Sequence, residues 1–224
     1  MIIEHALIMA AGRGMRMMPF TENMPKAMAP LAGTTLIANG IDKISRRIPN
    51  IHITVGYKGS MLAQHVIEHN VSSVINTEGK DNSWWIYNSL MKNVDAPIYV
   101  LTCDNVIELD FELLEKDYVK AGKPACMVIP VKPIEGLDGD YIFHENQKII
   151  ELSRTKKSEM YCSGIQILNP KKINDLTEKA DNFYNVWMQL IQRGELYCSN
   201  IYPKQWYAVD TVLQLDAINK LTRG

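Results

Sequence analysis

The stretch LIMAAGRGMRMMPFTENMPKAMAPLAG, from Leu7 to Gly33, sets glycines and lone cations directly behind a buried-looking apolar run. Gly12 and Gly14 are followed by Arg16 and, past Pro19 and Pro25, by Lys26. Glycines let a ligand approach the backbone, and successive N–H groups converging on one point make an anion site. Arg and Lys beside such a site add full charges, so this spacing is suited to binding and neutralising phosphates. Three phosphate loops compete. The dinucleotide fingerprint G-x-G-x-x-G accepts Gly12 and Gly14 but meets Met17 where its third glycine belongs. A Walker loop needs Gly-Lys before Ser or Thr, whereas Gly79-Lys80 and Gly122-Lys123 precede Asp81 and Pro124. The third type keeps the loop extended over a nucleoside triphosphate. Arg16 and Lys26 are then its cations, and Pro19 and Pro25 reduce the entropy lost on ordering. A plain surface loop with solvated Arg and Lys is the competing reading of the same residue types.

The spacing as a whole resembles the signature of the sugar-phosphate nucleotidyltransferases, A-A-G-x-G-x-R-x-x-P-x-T-x-x-x-P-K followed by Gly. Ala10, Ala11, Gly12, Gly14, Arg16, Pro19, Thr21, Pro25 and Lys26 fill every fixed position. The family's Pro-Leu-Ile after the glycine is Thr35-Leu36-Ile37 here. The resemblance implies that a phosphate monoester attacks the α-phosphate of a nucleoside triphosphate and releases pyrophosphate. It places the backbone of Ala10, Ala11, Gly12 and Gly14 against the nucleotide, Arg16 on the departing pyrophosphate and Lys26 on the reacting phosphates. Such a transfer crowds negative charge, which a Mg²⁺ ion on hard oxygen ligands relieves. Asp104 in IYVLTCDN stands at the end of a predicted central strand, where open α/β sheets bind ligands, and matches a metal-binding Asp of the family. Asp210 in WYAVDTVLQL matches a late metal-binding Asp, although Asp before a helix is equally a favoured N-cap. The acceptor phosphate is already largely dianionic at neutral pH, so no general base is required. The scattered histidines His5, His52, His65, His69 and His144 are read as structural.

Acceptor recognition is expected in ELSRTKKSEMYCSGIQIL. The family carries a Lys in the loop before a Ser/Ala-Gly strand. Lys156 and Lys157 both qualify, and spacing to Ser163-Gly164 favours Lys157. Glu151, Arg154 and Gln166 are weaker candidates. The base-reading segment NTEGKDNSWWIYNSL lacks the Gly-Gly run of many sugar-1-phosphate members. It looks closer to the small choline-phosphate cytidylyltransferase-like members. Asn82, Ser83 and Asn88 are candidates for base or ribose, while Trp84 and Trp85 either stack on a substrate or serve the core. The reading is a Mg²⁺-dependent transferase with CTP favoured as donor and a small phosphorylated alcohol or sugar as acceptor, serving cell-surface polymer synthesis. Its alternatives are a uridylyl-, thymidylyl- or guanylyltransferase of sugar 1-phosphates, and a catalytically silent nucleotide-sugar-binding regulatory subunit. Intact Arg16, Lys26 and Asp104 argue against silence.

The elements that must position these residues alternate in type. ALIMA, IHITVG, VSSVIN, PIYVLTC and PACMVIPV read as strands, separated by helical segments TLIANGIDKISRR, SMLAQHVIEHN, SWWIYNSLMKNV and DFELLEKDYVKAG. Beyond Val131 come a hairpin around HENQ, a strand MYCSGIQIL, helices PKKINDLTEK and DNFYNVWMQLIQRG, a strand ELYCSNIY and a last helix TVLQLDAINKLT. This is an α/β pattern: a Rossmann-like, mostly parallel mixed sheet with helices on both faces. A single nucleotidyltransferase domain over residues 1–224 is expected, with residues ~131–205 as an acceptor-binding lobe. The 224 residues are 46% hydrophobic and 22% charged, with 24 basic against 25 acidic residues, a net charge of −1. That balance favours neither nucleic acid nor an anionic membrane as partner. No apolar stretch approaches a membrane span, and the N-terminus lacks the basic region of a signal peptide, so the cytoplasm is expected. Cys103, Cys126, Cys162 and Cys198 form no CxxC pair and are read as reduced thiols.

Overall fold

The computed structural model describes residues 2–134 and 139–222. Residues 135–138 of the expected acceptor lobe therefore lie outside the described residues. In chain order the elements are β1 (His5–Met9), β2 (Pro30–Leu31), β3 (Thr34–Thr35), α1 (Leu36–Ser45), β4 (Asn50–Val55), α2 (Gly59–Ile67), β5 (Ser73–Asn76) and α3 (Trp84–Asn88). Then follow β6 (Ile98–Thr102), β7 (Asn105–Glu108), α4 (Phe111–Lys120), β8 (Cys126–Val131), β9 (Tyr141–Glu145), β10 (Lys148–Ser153) and β11 (Tyr161–Leu168). The chain closes with α5 (Pro170–Leu176), α6 (Phe183–Arg193), β12 (Leu196–Cys198), β13 (Gln205–Ala208) and α7 (Val212–Thr222). This is the α/β class with mixed strand pairing that the sequence pattern predicts.

Two compact units divide these elements. One comprises Glu4–Lys80, Leu101–Glu108 and Gln205–Gly224. Here β1 pairs in parallel with β4, Leu7 opposite His52, and β4 pairs in parallel with β5. The side-chain oxygen of Thr35 accepts from the Ala38 N–H to start α1, which buries Leu36, Ile37, Ala38, Ile41 and Ile44. A second ladder runs antiparallel between β7 and β13, with Asn105 opposite Ala208. Met17, Leu31, Leu36, Val106, Val209 and Leu215 pack into one core cluster of this unit.

The other unit comprises Met1–Ile3, Asp81–Val100 and Leu109–Lys204. Its strand β11 pairs antiparallel with the first residues of β6 and with β8, and β12 lies parallel to β8. Every residue of β8 is buried, as expected for a strand written as one apolar run. The parallel ladder thus dominates the first unit and antiparallel pairing the second. The HENQ hairpin forms as expected, with Asn146 and Gln147 at φ 50° and 69°. Positive φ at both central residues is the turn whose twist matches paired strands. The helix predicted over SWWIYNSLMKNV is interrupted. It stops at Asn88, Ser89 is extended, and a short 3-10 segment Leu90–Asn93 follows. The Ser89 hydroxyl donates to the Trp85 carbonyl and accepts from the Met91 N–H, so it competes with the backbone ladder it would have joined. Among the described residues, no helix is long and apolar enough to cross a membrane.

Candidate functional site

The glycine loop begins where β1 ends. The Ala10 N–H donates to both the carbonyl and the hydroxyl of Thr54, which ties the loop's start to β4. The Tyr57 N–H then donates to the Ala11 carbonyl at 3.0 Å. Gly56 allows this closeness, since a Cβ there would stand 2.6 Å from the Ala11 carbonyl oxygen. Tyr57 also holds the loop's far side. Its hydroxyl donates to the carbonyls of Thr21 and Glu22 at 2.9 and 3.1 Å, and the Arg13 guanidinium lies 5.1 Å over its ring. Sequence reasoning overlooked Gly56 and Tyr57. The signal was the Gly-Tyr pair placed directly after a strand.

The loop is not extended. It folds into three single 3-10 turns, Met15–Met17, Phe20–Glu22 and Lys26–Met28. Pro19 and Pro25 stand immediately before the second and third turns, where a fixed φ favours turn entry. The Thr21 hydroxyl donates to the Gly14 carbonyl at 3.0 Å, and Met17 is buried in the core cluster. Among the described residues, the N–H groups of Ala11, Gly12, Arg13 and Gly14 make no hydrogen bond. Four unengaged amides in succession are the makings of an anion cradle. Gly14 has φ 69°, and a Cβ on it would lie 2.6 Å from the Lys26 Cβ. The glycine is therefore required twice: for its backbone angle, and to let the aliphatic stem of Lys26 lie across it.

Lys26 is 7% exposed. Its Nζ donates to Asp104 Oδ2 at 2.7 Å and to Asp210 Oδ1 at 2.8 Å. The Arg16 guanidinium reaches the same Asp210 oxygen at 2.8 Å. Desolvation pulls the Lys26 pKa down, but the charges and hydrogen bonds of Asp104 and Asp210 together outweigh it and raise the pKa above 10.5. Lys26 is therefore a permanent cation in this setting. Asp104 and Asp210 meet because they flank the β7–β13 ladder: Asp104 precedes β7, Asp210 follows β13, and the Val209 N–H donates to the Asp104 carbonyl at 2.8 Å. These two four-residue strands were not foreseen from sequence.

Asp210 does not cap α7. Thr211 does so, accepting from the Gln214 N–H, while the Gln214 side chain accepts from the N–H groups of Asp210 and Thr211 at 2.7 and 3.0 Å. This reciprocal capping box leaves the Asp210 carboxylate available to Lys26 and Arg16. Asp104 Oδ1 and Asp210 Oδ2 are used by neither cation. These two hard oxygen donors, from different parts of the chain, are the residues that could hold a Mg²⁺ ion. Beside them, burial first and then the Asp104 charge push the Cys103 thiol up to about 12, so it is not a nucleophile.

The other sequence-derived candidates lie in the second unit. Asn82 accepts the Phe183 N–H through its side-chain oxygen. Ser83 is fully buried and donates to the Ala180 carbonyl at 2.7 Å. Trp85 is 1% exposed and packs edge-on to Phe183, the core alternative foreseen for it. Lys156 pairs with Glu151 at 2.7 Å and stands 4.1 Å over the Phe143 ring. Lys157 is exposed, with no hydrogen bond or ion pair among the described residues. Gln166 is 2% exposed, and its side-chain oxygen accepts from Cys126 and Trp187.

The sequence model of one family, described as nucleotidyl transferase, matches residues 5–222 of this chain. The bifunctional protein GlmU of Methanocaldococcus jannaschii is 30% identical over 193 residues, which cover 85% of this chain and 44% of that protein. The chain thus spans less than half the length of the GlmU proteins it matches. Among solved structures, a protein described as a glucose-1-phosphate thymidylyltransferase of Bacillus anthracis superposes with a TM-score of 0.81 at 20% identity, covering 98% of this chain and 95% of that one. The CTP:phosphocholine cytidylyltransferase of Streptococcus pneumoniae superposes with a TM-score of 0.77 at 19% identity, covering 99% of both chains. At these identities the two structures establish a common fold.

Proposed function

The chain belongs to the nucleotidyl transferase family, a family of enzymes, and on that premise we propose that it joins a nucleoside monophosphate to a small phosphomonoester with release of pyrophosphate. The observation that carries this reading is the convergence of Arg16, Lys26, Asp104 and Asp210 beside four unengaged loop amides. In the proposed reaction the loop amides of Ala11 to Gly14 receive the triphosphate. Lys26, a permanent cation, turns from its carboxylates onto the phosphates undergoing transfer. Arg16, whose side chain is 68% exposed, follows the departing pyrophosphate. Asp104 and Asp210 would hold Mg²⁺, which when bound neutralises charge on the phosphate oxygens. The attacking phosphate needs no base, because its second ionisation lies near ~6. Catalysis is then positioning and charge neutralisation.

CTP is the favoured donor in this reading and a small phosphorylated alcohol or sugar the acceptor, with Lys157 or Lys156 contacting the acceptor phosphate. The support is the likeness of the Asn82–Leu90 segment to small cytidylyltransferases and the shared fold of one such enzyme. In this reading the enzyme acts in the cytoplasm and activates units for cell-surface polymers. The test is pyrophosphate release, measured with each of the four common NTPs against a panel of phosphorylated alcohols and sugars. Turnover with one pair supports the reading. No turnover with any pair, despite nucleotide binding, would favour the silent regulatory subunit.

A further inference from the structure

We propose that Lys26 is the internal counter-ion of the carboxylate pair and keeps a divalent cation out of the site: Asp104 and Asp210 accept such an ion only as the Lys26 ammonium leaves them, and a polyphosphate that takes up the ammonium drives the exchange. The first observation is the charge balance. Arg16, Lys26, Asp104 and Asp210 bring two positive and two negative charges together through contacts of 2.7 and 2.8 Å, so the cluster is already neutral. A dication arriving at a neutral cluster gains little from the carboxylates and meets the ammonium across them. Lys26 Nζ takes one oxygen from each carboxylate, Asp104 Oδ2 at 2.7 Å and Asp210 Oδ1 at 2.8 Å. The two groups share the ammonium as they would share an ion.

The second observation is which part of the cluster can move. The Val209 N–H donates to the Asp104 carbonyl at 2.8 Å, and the Asp210 N–H donates to the Gln214 side chain at 2.7 Å, so the backbones that carry both carboxylates are tied. The Lys26 backbone is tied as well, its carbonyl accepting from the Ala29 N–H at 3.0 Å. The four-carbon lysine stem is the adjustable part. Its ammonium does not leave unaided, because the Lys26 side chain is 9% exposed and an unpaired buried ammonium is costly. Arg16 is a weaker bar to a metal, since its side chain is 68% exposed and its charge is screened by water. A replacement anion is available in a polyphosphate received by the unengaged amides of Ala11 to Gly14, for Gly14 lies against the Lys26 stem. The site should therefore hold little metal on its own and take up metal and polyphosphate together.

This inference rests on the proposed transfer and names how its cation is admitted. The test is Mn²⁺ binding to the full chain without nucleotide, followed by electron paramagnetic resonance of the free ion. Lys26→Met keeps an unbranched stem and removes only the ammonium. It should bind Mn²⁺ at least about tenfold more tightly than the parent, whereas Arg16→Gln, which removes a screened charge, should change the affinity by less than about threefold. A second measurement uses the parent alone and decides the matter if Lys26→Met does not fold. Brief acetylation with acetic anhydride, read by mass spectrometry, should modify Lys26 severalfold faster in saturating Mg²⁺ than without a divalent ion. Equal Mn²⁺ affinity of the parent and Lys26→Met, an equal gain from Arg16→Gln, or Lys26 acetylation that does not respond to saturating Mg²⁺ overturns the proposal. Competition between Lys26 and the metal in a chain that releases pyrophosphate from no NTP would defeat the proposed transfer alone, and turnover without that competition would defeat this inference alone.

Discussion

Replacing Gly14 by Ala isolates the geometry of the cation site without touching a charge. The new Cβ would lie 2.6 Å from the Lys26 Cβ and 3.0 Å from its Cδ. Restoring an ordinary contact of about 3.4 Å requires the lysine stem to retreat by about 0.8 Å. A shift of that size takes Nζ off its 2.7 and 2.8 Å contacts with Asp104 and Asp210. The φ of 69° adds about 1–2 kcal/mol of backbone strain for a residue with a Cβ. In a chain of this size that lowers Tm by about 2–8 °C. The stem displacement is the larger functional effect, because misplacing a reacting group by about 1 Å costs about 10²-fold in rate. The assay is kcat/KM for pyrophosphate release, with a thermal melt on the same preparation. A loss of about 10²-fold with a melt a few degrees lower is expected. Activity of the Gly14→Ala enzyme within about threefold of the parent would refute the claim that Lys26 must lie across Gly14 to work.

Asp104→Asn and Asp210→Asn should each reduce turnover by about 10²-fold or more. The double variant should be little worse than either single one, because two carboxylates serving one ion act as a unit; additive losses in a double-mutant cycle would separate their roles. Lys157→Ala should raise the acceptor KM much more than the nucleotide KM, and initial rates with each substrate varied in turn would expose an equal effect on both. Stability should depend on pH through His52. Burial first, and His5 second, depress its pKa from 6.5 to about 4, so the folded state favours the neutral ring. Stability is complete above about 6.5 and declines as pH falls toward about 4, since the unfolded chain takes up the proton first. Urea melts across that window should show the decline, and His52→Gln should flatten it.

The fold and the first half of the site could be read from sequence because their signals are local. Apolar runs of strand length alternate with helix-period segments, and the glycine, proline and cation positions all lie within one loop. The carboxylate half was legible only residue by residue. Asp104 and Asp210 could be named, but the β7–β13 ladder that brings them together consists of NVIE and QWYA. Four residues carry too little periodicity to announce a strand, and their pairing is wholly long-range. The ambiguity over Asp210 had a local answer in Thr211-x-x-Gln214, the capping-box spacing, which assigns the cap to Thr211. Gln166 was misleading for the opposite reason. Its polar side chain suggested a substrate contact, whereas it is turned into the core to satisfy Trp187 and Cys126. The extended-loop expectation failed because Met17 is an anchor: burying it coils the chain back into turns.

The central claim is that Lys26, held between two carboxylates, is the cation on which transfer depends. The most direct measurement is kcat/KM for NTP-dependent pyrophosphate release by Lys26→Ala, on protein whose far-UV circular dichroism matches the parent. Loss of one preorganised electrostatic contact predicts a fall of about 10²-fold or more. Turnover close to that of the parent would contradict the account.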